Sequence, residues 1–196
     1  MQPSSITQSL LGNLSMWDRG EYFYSLYDIR DMEVHDGFIA CDFVDEWFGD
    51  DFREKGYDFL EFGYNRAGDP FALWIYPELQ GEPPVVRLDS DGEVELLAPS
   101  FGDFMCLLTD MDCTMGDEEN ENVLWYGIYR YNYIDIVDED NDFENEDEVQ
   151  EKIKEEIALL RKKISKKYTC RPVSDIIKDF DRHPNFKAWF EENVEY

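Results

Sequence analysis

Four short apolar runs between Tyr57 and Ala98, each closed by turn-forming residues, constrain the fold of this chain more than any other feature. The runs are "YDFLEFGY", "FALWIY", "PPVVRL" and "GEVELLA". All four are rich in aromatic and β-branched residues, which suit a pleated, half-buried surface. Asn65 to Pro70 separate the first two, Gly81 precedes the third, and Asp91-Gly92 precedes the fourth. Asp-Gly between apolar runs is a strong hairpin signal, because both residues tolerate positive φ. Consecutive strands joined by connections this short must pair antiparallel, so the spacing predicts a meander over about 57–98. The stretch "GYNRAGDPFALWIY" contains glycines and an arginine but leads from strand to strand. It therefore lacks the helix N-terminus on which a phosphate-binding loop is built, and it reads as a hairpin bend.

The next segment, "PSFGDFMCLL", changes period. Phe101, Phe104, Leu107 and Leu108 recur at three- and four-residue spacing, Ser100 is placed to cap the amides, and Asp103 completes a capping-box-like pair. A helix over about 100–110 should pack across the meander. Farther on, "EDEVQEKIKEEIALLRKKISKKY" predicts a helix over 148–167, with Val149, Ile153, Ile157, Leu160 and Ile164 as its stripe. Its acidic start and basic end match the helix dipole. The tail predicts a short helix from about Ser174 and another after Pro184. Before the meander, "EYFYSLYDIRD" and "DGFIACDFVDEWFGDDF" read as two strands with a turn at His35–Gly37. The expected class is α+β: a curved, mainly antiparallel sheet flanked by helices at about 100–110, 148–167 and the C-terminal segment.

Charge narrows the functional classes. The 196 residues carry 46 acidic and 18 basic side chains, a net charge of −28. A field of that sign repels nucleic acid and anionic membranes and accelerates encounter with cationic partners. Residues 110–148 concentrate it, with 15 acidic side chains against one basic residue, Arg130. Hydrophobic residues still make up 43% of the chain, enough for a core. The N-terminus has neither a basic n-region nor a sustained apolar stretch, and no run reaches the length of a membrane span. A soluble, cytoplasmic protein is expected. Cys41, Cys106, Cys113 and Cys170 form no C-x-x-C pair and match neither zinc spacing nor a dense disulfide framework, so reduced, packed thiols are expected.

Catalytic signatures are sparse. His35 and His183 are the only histidines, and His183 precedes a proline in "DRHPNF", a position suited to shaping the start of a helix. No G-x-S-x-G elbow is present. Carboxylates are too numerous for any pair to stand out as a glycosidase-like acid and base. Asp140, Asp142, Glu144 and Glu151 fall at positions 1, 3, 5 and 12 of an EF-hand-like register, with Asn145 in the glycine position. A solvated acidic loop is the preferred reading, and calcium attraction there stays open. No cofactor is expected. Trp74, Trp125 and Trp189 sit in apolar contexts and read as core.

The segment "GDPFALWIYPELQGEPPVVRLDSDGEVELLAPSFGDFMCLL" resembles the SUKH superfamily, immunity-type proteins related to a yeast cell-wall-synthesis regulator. The "GDPFALW" strand, "PVVRL", the "SDGE" turn and the A-x-S-F-x-x-F lead into the helix carry the likeness, together with "HPNFKAWFEENV" near the C-terminus. The resemblance implies one domain over 1–196, with an acidic elaboration at about 112–170. It implies a non-catalytic, protein-binding role, most often neutralisation of a cognate toxin. Many such toxins are nucleases, whose phosphate-binding clefts are cationic, so a basic toxin domain is the expected partner. Acidic residues beside tyrosines make a suitable contact surface, which places the candidate partner-binding residues at Tyr131, Tyr133, Asp135, Asp138, Glu139, Asp140, Asp142 and Glu144. The alternatives are an acidic nucleic-acid mimic, or a regulatory or scaffold module of the same fold.

Overall fold

A computed structural model of the chain describes residues 33–48, 52–64, 68–89, 92–109, 158–159, 161–162 and 164–194. Five strands form one open antiparallel sheet in sequence order: β1 (Glu33–Ala40), β2 (Asp58–Tyr64), β3 (Pro70–Ile75), β4 (Val85–Leu88) and β5 (Val94–Ala98). The meander predicted over 57–98 is present as β2 to β5. Four α-helices have both ends among the described residues: α1 (Asp45–Phe48), α2 (Phe101–Leu108), α3 (Val173–Lys178) and α4 (Phe186–Asn193). The α+β class follows directly.

The central strand shows why the sheet needs cover on both sides. Every residue of β3 is buried. Because side chains alternate across a strand, Phe71 and Leu73 join one hydrophobic cluster while Ala72 and Trp74 join the other. Val85 divides from Val86 and Leu88 in the same way on β4. On the first face α2 supplies Phe101, Phe104 and Met105, with Ile164 and Ile176 packed beside them. On the second face lie Val44, Phe48 and Phe52, with Phe186 and Phe190 from α4. Phe62 meets Phe101 edge-on at 5.0 Å on one side, and Trp74 meets Phe186 at 4.8 Å on the other. Such pairs contribute about 0.5–1.5 kcal/mol each beyond simple burial. Most aromatic side chains among the described residues belong to one of these two clusters.

Turn chemistry holds the meander together. Gly92 takes φ 84° after β4, donating its amide to the Asp89 carbonyl at 2.9 Å, while Asp89 donates to the Glu93 carbonyl at 2.9 Å. β2 alternates imperfectly because its register against β3 shifts between Glu61 and Gly63. A bulge of this kind puts one extra residue on a strand and breaks strict alternation.

Three expectations are corrected. His35–Gly37 is not a turn but the interior of β1, whose register against β2 shifts between Val34 and Ile39. The polar D-G pair is accommodated by that irregularity on a terminal strand. Residues 42–48 are not strand but a 3-10 turn (Asp42–Val44) running into α1. Their apolar residues Val44 and Phe48 lie one helical turn apart and so fall on one face. Cys106 and Cys170 are not separate thiols: they form a disulfide across 64 residues, with Cα atoms 5.4 Å apart. Spacing in sequence could not reveal this, because the two meet only when the segment after residue 164 folds back on α2. Cys41 is free and buried.

The C-terminal helices form as predicted, and residues 158, 159, 161, 162 and 164 of the 148–167 helix are helical. Residues 165–167 are turn, so that helix ends at Ile164, earlier than expected; its other residues, the 21–31 strand, Trp125 and the EF-hand-like register lie outside the described residues. Among the described residues no helix is long and apolar enough to cross a membrane.

Closing a loop of 64 residues removes chain entropy worth about 4 kcal/mol, of which native disulfides typically deliver about 2–4 kcal/mol. Reduction, or Cys170→Ser, is expected to lower unfolding stability in urea by about that amount. Non-reducing peptide mapping should join Cys106 to Cys170; singly alkylated peptides for both cysteines would remove the bond.

Candidate functional site

The densest polar constellation among the described residues surrounds Asp103, whose exposure is only 2%. α2 places it there. Ser100 takes an extended conformation at φ −158° and accepts the Asp103 amide at 3.1 Å, capping the helix as its sequence predicts. The capping-box expectation for the Asp103 side chain is only partly met. Its carboxylate accepts four hydrogen bonds. Ser100 Oγ donates at 2.9 Å and the Tyr168 hydroxyl at 3.0 Å. Arg171 grips it with both edges of its fork, Nε at 3.1 Å and Nη2 at 2.8 Å.

Arg171 also donates to Asp179, which in turn pairs with Arg182 at 2.9 Å. The hydrogen bonds it donates to Asp103 hold the Arg171 guanidinium well above the ordinary arginine value against the opposing effect of burial. Burial raises the Tyr168 phenol, and the Asp103 charge adds to this while the Ser100 hydrogen bond opposes it. Gly102 is indispensable to the approach: a Cβ there would stand 2.4 Å from the Tyr168 ring. With the disulfide one turn farther along α2, these contacts clamp residues 168–182 onto the helix.

The clamp has no free chemistry. Four donors, from Ser100, Tyr168 and Arg171, point at the Asp103 carboxylate and take up its lone-pair directions. Its role is to hold architecture.

His183 is committed in the same way. Nε2 lies 3.0 Å from the Pro99 carbonyl, which can only accept, so this nitrogen carries the proton and donates. Nδ1 then accepts from the Tyr76 hydroxyl at 2.9 Å. Burial holds the imidazole below its ordinary value, with the Pro99 hydrogen bond opposing and Arg182 assisting. The tyrosine is raised by burial and by Glu78, so it remains a donor. His183 thereby ties the end of β3 to the end of β5 as the chain turns into α4, and Asn185 caps that helix by accepting the Ala188 amide at 3.0 Å.

His35 belongs to an arrangement that sequence reasoning did not find. Its Nε2 lies 2.7 Å from Glu61 Oε1 across the β1–β2 pair, with side chains 24% and 14% exposed. The Tyr64 ring stands 5.7 Å from the imidazole. Glu61 orients the ring, yet among the described residues no serine or cysteine joins it to complete a nucleophilic triad.

A groove of about 660 Å³ opens between β5 and the α3–α4 connection. Glu93, Val94, Glu95 and Leu96 line one side; Ile177, Phe180, Asp181, His183 and Lys187 are among those lining the other. Its concave shape could receive another molecule. Of the predicted core tryptophans, Trp74 is fully buried and Trp189 is half-buried. The candidate contact residues Tyr131, Tyr133, Asp135, Asp138, Glu139, Asp140, Asp142 and Glu144 all lie outside the described residues.

No family model matches the chain, and comparison with curated proteins and with solved structures returns no match.

Two outcomes test the site's structural role. Asp103→Asn removes the charge Arg171 grips and should cost on the order of 2–4 kcal/mol, less than for a wholly buried pair because Arg171 reaches solvent. Asp175→Asn, at the exposed pair with Lys178, should change little. For His183, the folded value lies below the ordinary one near 6.5, so the unfolded chain binds the proton more readily. Its contribution is present above about pH 6.5 and is lost as pH falls through the depressed value. His183→Gln should therefore flatten the fall in stability between about pH 7 and pH 5, measured against wild type in urea.

Proposed function

We propose that this chain is a non-catalytic protein-binding module that neutralises a basic partner, as an immunity protein does a cognate toxin domain, a nuclease being one suitable kind. The observation that carries the reading is charge: −28 overall, with 15 acidic residues against one basic residue in 110–148. A cleft built to hold phosphates is cationic, and a surface of opposite sign raises the rate of capture, the quantity on which protection from a toxin depends.

Three further observations support it. The sequence resembles the SUKH superfamily over the meander, the helix that follows and the C-terminal "HPNFKAWFEENV". The antiparallel sheet with its helices fits the α+β fold that this resemblance implies. Asp103, which is buried, and His183, which is half-buried, are both engaged in holding structure. The contact surface proposed for the partner is the acidic segment from Asp135 to Glu144 with Tyr131 and Tyr133. The proposed working compartment is the cytoplasm, where the partner is met.

Affinity capture from the native host, washed at low and then high salt, should retain one basic, nuclease-like protein at low salt. Replacing Asp138, Asp140 and Asp142 with Asn should slow association by roughly tenfold and flatten its salt dependence. Unchanged kinetics would move the contact surface elsewhere. Bulk capture of nucleic-acid-binding proteins would instead favour a nucleic-acid mimic.

A further inference from the structure

The groove beside β5 has a shape and a rim that specify its occupant. Glu93 and the first three residues of β5 line it consecutively. Side chains of adjacent strand residues point to opposite faces, so a cavity that touches all of them runs along the strand's edge instead of across one face. A channel along a strand fits an extended chain better than a helix or a compact ligand. Its apolar lining comes from Val94, Leu96, Ile177, Phe180 and Phe186, of which Leu96, Ile177 and Phe180 are only half-buried.

The charges at the rim select further. Glu93, Glu95 and Asp181 face Lys187, three carboxylates against one ammonium. Glu95 is bridged by Arg87 at 3.1 Å, while Glu93 and Asp181 are exposed at the two banks. An acidic segment, of this chain or of another, meets like charge there. His183 adds no positive charge near neutral pH, since it is held neutral between Pro99 and Tyr76. The geometry points to this groove as the docking site for an extended, cationic segment of a partner protein, with arginine or lysine heads at Glu93 and Asp181 and aliphatic stems over Leu96, Ile177 and Phe180. This rests on the binding-module reading and deepens it by naming a second contact surface, apart from the acidic segment.

The test uses the full chain and two synthetic pentapeptides, one alternating arginine with leucine and one alternating glutamate with leucine. Backbone amide shifts are followed by NMR during titration. The arginine peptide should move the amides of residues 93–96 and 177–187, and the glutamate peptide should not. The double variant Glu93→Lys with Asp181→Lys, both at exposed positions, should weaken arginine-peptide binding at least about tenfold, and Lys187→Glu should strengthen it. Shifts confined to other surfaces, equal response to both peptides, or full binding by the double variant would overturn the inference. No toxin is needed for this experiment. Toxin capture without groove shifts removes the groove alone, and groove shifts without toxin capture remove the immunity reading alone.

Discussion

The hold of Asp103 on Arg171 is the interaction on which the rest of the described structure depends. A carboxylate at 2% exposure is tolerable only because four donors surround it, and two of those come from a single guanidinium 68 residues away. That contact fixes where the chain returns after its long excursion. Once Arg171 is seated, Tyr168 lies over Gly102, Cys170 reaches Cys106, and Ile164 and Ile176 fall onto the α2 face of the sheet. The next turn delivers His183 to Pro99 and Tyr76, and α4 then covers the opposite face. One polar anchor thus sets the position of everything downstream.

Much of this was legible in sequence, and the reasons are local. The meander announced itself because β2 to β5 are separated by glycine- and proline-bearing turns, and Gly92 needs the positive φ that its Asp-Gly context predicts. α2 was legible because Ser100 and the phenylalanine spacing both mark its start. The C-terminal helices were legible from Pro184 and the apolar spacing after it. These are signals a chain carries within ten residues.

What was not legible depends on pairs that sequence separates. Asp103 looked like half of a capping box, and nothing in its neighbourhood says that Arg171 will claim it. Cys106 and Cys170 read as independent thiols for the same reason, since 64 residues lie between them. His35 beside Glu61 became a pair only once the β1–β2 register was known, and that register is irregular. The 42–48 segment misled in a different way: its aromatic content favours a strand, but the apolar side chains must reach a core lying to one side, and helical spacing achieves that. The groove was invisible because its banks come from β5 and the α3–α4 connection, some 80 residues apart. The acidic candidate residues from Tyr131 to Glu144 lie outside the described residues, so their legibility rests on charge alone.

The division of the C-terminal segment between the two faces of the sheet has a consequence for how the chain is made. Ile164 and Ile176 complete one layer; Phe186 and Phe190 complete the other. A nascent chain that stops short of Phe186 therefore presents β3 with its Trp74 side only partly covered, by Val44, Phe48 and Phe52, however much of the sheet has already emerged from the ribosome. Neither layer can close vectorially from the N-terminus. Folding waits until Phe186 and Phe190 have emerged, and during that wait the dense negative charge keeps unfinished copies apart.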